Sequence, residues 1–129
     1  MATAANPDQP TVLVVEDEFI IALDLSETVK DLGYAVEGPF SDKKNAFLAI
    51  EGVMPDAAIL DVYTDDGEVY PLADVLAKAG VPLIFHSGHA SPSEVKARYP
   101  DAWACAKPCP PDKLIDVLQA AVERSKSSA

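Results

Sequence analysis

At 129 residues with 49% hydrophobic content, the chain has apolar material for one compact core and too little length for a second. A formal charge of -11 and a pI near 4.3 exclude a surface built to gather nucleic acid, because no basic feature longer than Lys43-Lys44 interrupts the negative field. Residues 1–10 hold neither an apolar run nor a basic leader, which sets aside a secretory signal and a membrane span and predicts a disordered tail on a cytoplasmic protein.

Residues 11–15 form a β-branched and aliphatic run suited to an interior parallel strand. Between residues 18 and 32, Ile20, Ile21, Leu23, Leu25, Val29 and Leu32 recur at helical intervals, and Gly33 supplies a stop. Residues 34–37 read as a second strand before Gly38-Pro39. Ser41 is the expected cap of a helix carrying Phe47, Leu48 and Ile50, with Gly52 just beyond its end. The cycle repeats with a buried strand at 57–60, a helix at 68–79 with Leu72, Val75 and Leu76 inward, and a strand at 81–85. A polar loop, residues 86–91, leads to a weak helix from Pro92 with Val95 as its main apolar residue. A fifth strand at 103–106 and an amphipathic helix at 111–124 complete the pattern, leaving 125–129 as a frayed end. Cys105 and Cys109 lack redox-pair spacing and read as an ordinary strand residue and a loop residue.

Five strand and helix cycles with short links predict one domain over residues 11–124. Its expected fold is a flavodoxin-like three-layer α/β sandwich, with a five-stranded parallel sheet of order 2-1-3-4-5 and five helices. In such a sheet, ligands bind beyond the carboxyl ends of the strands, beside the point where strand order reverses. Glu16 and Asp17 follow the first strand, Asp61 the third, Ser87 the fourth and Lys107 the fifth. Carboxylates gathered there repel one another unless a cation joins them, and an all-oxygen donor set suits Mg2+. Asp17 and Asp61 are the expected direct ligands, with Glu16 acting through water and the Tyr63 backbone carbonyl as a further oxygen. Asp61 is the candidate nucleophile and Lys107 the neutralising cation. The Ser87 hydroxyl and the backbone N–H of Gly88 or Tyr63 are candidate donors to a phosphoryl group. Taken singly, each has a plain alternative: an acidic first helical turn for residues 16–18, a loop cap for Asp61, a turn former for Ser87 and a surface lysine for Lys107.

Val12-Leu13-Val14-Val15-Glu16-Asp17-Glu18, Ala58-Ile59-Leu60-Asp61-Val62 and Ala106-Lys107-Pro108 together resemble the receiver domains of bacterial two-component response regulators, over essentially residues 11–123. The stretches Gly67 to Asp74 and Phe85-His86-Ser87-Gly88-His89 are similar to alphaproteobacterial single-domain receivers with a Phe-Ala-Thr-Gly type motif. The resemblance implies Mg2+-dependent phosphorylation of Asp61 by a histidine kinase, of the HWE class, and a phosphorylation-dependent change in binding to an unidentified downstream protein. It also implies a cis Lys107-Pro108 bond, a stand-alone domain without nucleic-acid or membrane partners, and a monomer or weak dimer.

Two departures stand out. Thr64-Asp65-Asp66-Gly67 replaces the family's Met-Pro loop and adds acidic residues near the site, and Ala104 occupies the position of the family's switch aromatic. Trp103, one residue earlier, should face the opposite side of the sheet. His86 and His89 read as solvent-exposed loop residues, with tuning of the site as the sharper alternative. The main rival function is a phosphorylation-independent protein-binding module on the same fold. An aspartate-dependent phosphohydrolase is disfavoured because Tyr63 stands where its second carboxylate belongs, and a flavodoxin-like carrier because carboxylates follow the first strand.

Overall fold

The computed structural model describes residues 9–88 and 92–128, without the side chains of 127 and 128, so the first eight residues of the tail expected at 1–10 and the reading of His89 lie outside the described residues. Five strands, β1 (Thr11–Val15), β2 (Ala35–Phe40), β3 (Ala57–Leu60), β6 (Leu83–Ser87) and β7 (Trp103–Ala106), form one parallel sheet of order β2-β1-β3-β6-β7. A two-stranded antiparallel hairpin, β4 (Tyr63–Thr64) and β5 (Gly67–Glu68), lies between β3 and the following helix. Counting the main strands alone gives the expected order 2-1-3-4-5. The helices are α1 (Phe19–Asp31), α2 (Lys43–Gly52), α3 (Tyr70–Lys78), α4 (Pro92–Arg98) and α5 (Pro111–Ser128).

Strand alternation divides the core into two layers. Leu13, Val15, Leu60 and Phe85 pack with Ala46, Ile50, Leu72, Leu76 and Val95 from α2, α3 and α4. Val12, Val14, Ile59 and Ile84 pack with Leu25, Val29, Leu114, Leu118 and Val122 from α1 and α5. Both faces of β1 and β3 are therefore buried, which explains their uninterrupted apolar sequences. Gly33 ends α1 with φ of +86°, a conformation an L side chain resists. At Gly38 (φ +108°) a Cβ would come within 2.9 Å of the Val14 carbonyl oxygen, so this bulged crossing of β2 against β1 requires glycine.

Several expectations change. On α1, Ala22, Leu25, Ser26 and Val29 face the core, while Ile20 and Leu23 point outward with Phe19. Val75, expected inward, is likewise exposed, as is Leu48. The apolar runs are wider than the buried stripe, so spacing alone selected too many residues. Asp42, not Ser41, caps α2, its carboxylate accepting from the Asn45 amide at 2.9 Å. The fourth main strand extends to Ser87, drawing His86 out of the expected loop. The last helix continues past Arg124 to Ser128, since Ser-Lys-Ser-Ser contains no helix breaker.

Candidate functional site

The carboxyl ends of β1, β3, β6 and β7 meet on one edge of the sheet. Backbone bonds fix the acidic residues there: the Glu16 amide donates to the Phe40 carbonyl and the Asp61 amide to the Val15 carbonyl, each at 2.9 Å. Glu16 and Asp61 are buried, with 2% and 4% of their surfaces exposed, whereas Asp17 and Glu18 are exposed. The Lys107 ammonium lies between the two buried carboxylates, 3.0 Å from Glu16 Oε1 and 3.1 Å from Asp61 Oδ2, with Glu18 Oε1 at 3.5 Å. In the turn after β7 the Lys107 amide donates to the Ser87 carbonyl at 3.1 Å, and the Lys107-Pro108 bond is cis. Gly88 packs on the same stem, since a Cβ there would sit 3.7 Å from the Lys107 Cβ.

The electrostatics separate the two buried acids. Burial raises the Asp61 pKa and the Glu16 charge raises it further; Lys107 opposes both but does not cancel them. Burial also acts to raise Glu16, yet the surrounding polar contacts from His86, the Glu18 amide, Lys107 and Asp61 leave it below the usual carboxylate range. Lys107 is held more firmly protonated than a free lysine: burial disfavours its charge, but Glu16 and Asp61 outweigh that cost. Three carboxylates, those of Glu16, Glu18 and Asp61, thus face one ammonium with Asp17 beside them, an electrostatic imbalance that a divalent cation would relieve.

Glu16, Asp17 and Glu18 bring one oxygen each within 4.8 Å of one another. This hard-oxygen donor set fits Mg2+, and the edge as a whole resembles a phosphoaccepting, Mg2+-binding site. Glu18 was not among the expected site residues. The grouping differs from the expected one, because Asp61 stands beside it, bonded to Lys107. The Tyr63 amide donates to Asp61 Oδ1 at 3.3 Å, while the Tyr63 residue itself is 42% exposed on the hairpin. Ser87 is buried at the end of β6.

His86 is a correction to the reading of an exposed loop residue. It is 6% exposed, and its Nδ1 lies 3.8 Å from Glu16 Oε1, too far for a direct hydrogen bond but close enough to belong to the site. Period-two alternation from Ile84, once the strand is extended by two residues, is the sequence signal that places it on the α1 and α5 face.

The hairpin also corrects the expected effect of Asp66. Its carboxylate accepts from the Lys43 and Lys44 amides at 2.8 and 3.2 Å and from Thr64 Oγ1 at 2.9 Å, tying the loop to the start of α2. These bonds, led by the one from the Lys43 amide, lower the Asp66 pKa to about 2. Asp66 is thus committed to the helix terminus.

Ala104 and Tyr99 both pack into the apolar layer on the α4 side. The Tyr99 ring stacks on Phe85 with centroids 5.2 Å apart, and its hydroxyl donates to Asp74 Oδ1 at 2.6 Å. Trp103 packs on the opposite face, as expected, with the Arg124 guanidinium 3.9 Å above its ring.

No family model matches the chain. It is 32% identical over 126 residues to the transcriptional regulatory protein PdtaR of Mycobacterium tuberculosis, covering 95% of this chain and 60% of that protein. It is 30% identical over 114 residues to the phyllosphere-induced regulator PhyR of Methylorubrum extorquens, covering 86% of this chain and 43% of that one. The chain therefore spans less than two thirds of these curated relatives. The signal receiver domain of a modulated diguanylate cyclase from Desulfovibrio desulfuricans G20 superposes with a TM-score of 0.78 at 27% identity, over 95% of this chain and 100% of that one. Joined to the sheet order and the acidic edge, these likenesses show a chain similar in fold and sequence to response-regulator receiver domains, those of PhyR-type regulators among them.

Proposed function

We propose that Asp61 accepts a phosphoryl group from the phosphohistidine of a histidine kinase, of the HWE class, and that the resulting acyl phosphate changes the affinity of this domain for a downstream protein. The observation that carries the reading is the Asp61 carboxylate at the end of a central strand, 3.1 Å from the Lys107 ammonium and beside a three-carboxylate group. One Asp61 oxygen attacks phosphorus, the bond from phosphorus to the imidazole nitrogen breaks, and the histidine leaves. Positioning and charge neutralisation dominate such a transfer. Asp17, Asp61 and the Tyr63 carbonyl would hold Mg2+, with Glu16 acting through water, and the ion would supply charge neutralisation for the incoming phosphoryl group. Lys107 moves from the Asp61 carboxylate to a phosphoryl oxygen, and the Ser87 hydroxyl with the Gly88 or Tyr63 amide donates to the others.

Phe19, Ile20 and Leu23, with 71%, 74% and 45% of their surfaces exposed, lie directly after the acidic run and support a protein partner approaching Asp61. Output runs through Tyr99, whose ring touches the strand bearing Ser87 and whose hydroxyl holds α3 through Asp74. Among the described residues no helix is long and apolar enough to cross a membrane. The test is incubation with Mg2+ and acetyl phosphate or a phosphorylated kinase, followed by intact mass. An acid-stable, base-labile phosphoryl adduct on the wild type and none on Asp61→Asn supports the reading; equal adducts on both refute it.

A further inference from the structure

The chain holds two arginines, Arg98 and Arg124, and both line one open cavity of about 310 Å³. Its walls come from the end of α3, the start of β6, the segment between α4 and β7, and the last turns of α5. Leu83 opens β6 and Ala102 precedes β7, so the cavity lies at the amino ends of these parallel strands, whereas Asp61 and Lys107 lie at the carboxyl ends of the sheet. Val81, Pro82, Leu83 and Ala102 supply apolar surface, and Tyr99, whose ring stacks on Phe85, joins them. The volume is at the small end of ligand sites, which run from about 300 to 1,000 Å³.

Each arginine is held by an aromatic face: the Arg98 guanidinium carbon lies 3.7 Å from the Tyr70 ring centre, and that of Arg124 lies 3.9 Å from the Trp103 ring centre. Arg124 Nη1 also donates to the Asp101 carbonyl, on the cavity wall, at 2.6 Å. Stacking covers a face of the guanidinium and leaves donors at its edges, the fork that matches a carboxylate. The third charged group on the wall is Asp101. Two positive charges against one negative leave a single positive charge, which a monocarboxylate neutralises and a phosphate dianion overshoots. The net charge of -11 repels anions from the molecule as a whole, so anion binding at this end stands out against an unfavourable background.

We propose that this cavity binds a small monocarboxylate with an apolar body, its carboxylate held by Arg98 and Arg124 and its body resting against Val81, Leu83 and Tyr99. The plain alternative is that both arginines serve the fold by stacking alone, which requires no anion. Tyr99 gives the site a route to the rest of the molecule, because its ring touches Phe85 in the strand that ends at Ser87 and its hydroxyl holds α3 through Asp74. An effect of occupancy on phosphoryl signalling rests on the function proposed above; the binding itself does not.

The test titrates benzoate into the isotopically labelled full chain and follows backbone amide shifts, with benzamide as the uncharged isostere and phenyl phosphate as the dianion. The expected result is saturable shifts at Leu83, Tyr99 and Ala102 that leave Glu16 and Asp61 unmoved, with phenyl phosphate weaker than benzoate and benzamide weaker by at least about tenfold. Arg98→Gln should weaken benzoate by about tenfold, and Arg98→Lys, which keeps the charge without the fork, should recover only part of the loss. The amide spectrum of each variant shows directly whether it is folded. Equal shifts with benzamide, no saturable shift with benzoate, unchanged affinity in Arg98→Gln, or shifts centred on Lys107 overturn the proposal. Shifts at these amides from a glutamate-rich peptide but none from benzoate also overturn it, and assign the cavity to a protein partner. The readout uses no phosphodonor, so a failure of Asp61 to accept phosphate leaves it unchanged and the two ideas fail separately.

Discussion

Replacing Lys107 with Met retains most of the aliphatic stem and removes the ammonium that separates two buried carboxylates. Its contacts of 3.0 Å to Glu16 and 3.1 Å to Asp61 each correspond to a gross attraction of about 5 kcal/mol at an effective dielectric near 20. Desolvation of the ammonium, whose side chain retains 14% exposure, offsets much of that gain. Loss of one partner from a buried pair costs about 3–5 kcal/mol, and the open mouth of this site lowers the expectation to about 2–4 kcal/mol at pH 7. The substitution should cost less under mildly acidic conditions, as Asp61, whose pKa is raised, begins to protonate. Adding Asp61→Asn removes one of the stranded charges and should recover a large part of the loss. Urea unfolding of the wild type, both single variants and the double variant measures the coupling. A neutral Lys107→Met, or additive effects in the double variant, would refute the electrostatic reasoning.

Asp61→Asn alone should raise stability at neutral pH while abolishing the acyl phosphate. Burial and the Glu16 charge raise the Asp61 pKa, so ionisation above its ordinary value costs the folded state; thermal melts check the direction. Burial raises Glu37 from 4.5 to about 7, so native stability falls as pH rises through that window, because the unfolded chain ionises first. After discounting for its partial exposure, Glu37→Gln should flatten this slope and stabilise the fold by about 1 kcal/mol above pH 7, measured by unfolding at several pH values. Tyr99→Phe deletes the hydroxyl bonded to Asp74 at about 1 kcal/mol while retaining the stack on Phe85, and Tyr99→Ala should cost about 3–4 kcal/mol. If phosphorylation-induced amide shifts on α3 survive Tyr99→Phe unchanged, Asp74 does not carry the output.

Period-two and period-three-to-four patterns made the fold legible because both faces of β1 and β3 are covered and their sequences are apolar without interruption. They fared worse on α1, where Phe19, Ile20 and Leu23 belong to an exposed surface that periodicity cannot distinguish from core. Glu16, Asp61 and Lys107 were legible because strand order fixes which ends meet. His86 and Tyr99 were not. Strand length decides the first, and the path of the chain beyond α4 the second. The hairpin formed by residues 63–68 was hidden for a similar reason: its stability comes from Asp66 bonds to α2, more than twenty residues away in sequence.

Site mapping tests the central claim most directly. After incubation with Mg2+ and a phosphodonor, borohydride reduction converts an aspartyl phosphate to homoserine, and fragmentation of the tryptic peptide spanning residues 45–78 locates it. The account predicts homoserine at position 61, dependent on Mg2+; homoserine at another aspartate in that peptide, or unmodified peptide beside a kinase that has lost its phosphoryl group, would contradict it.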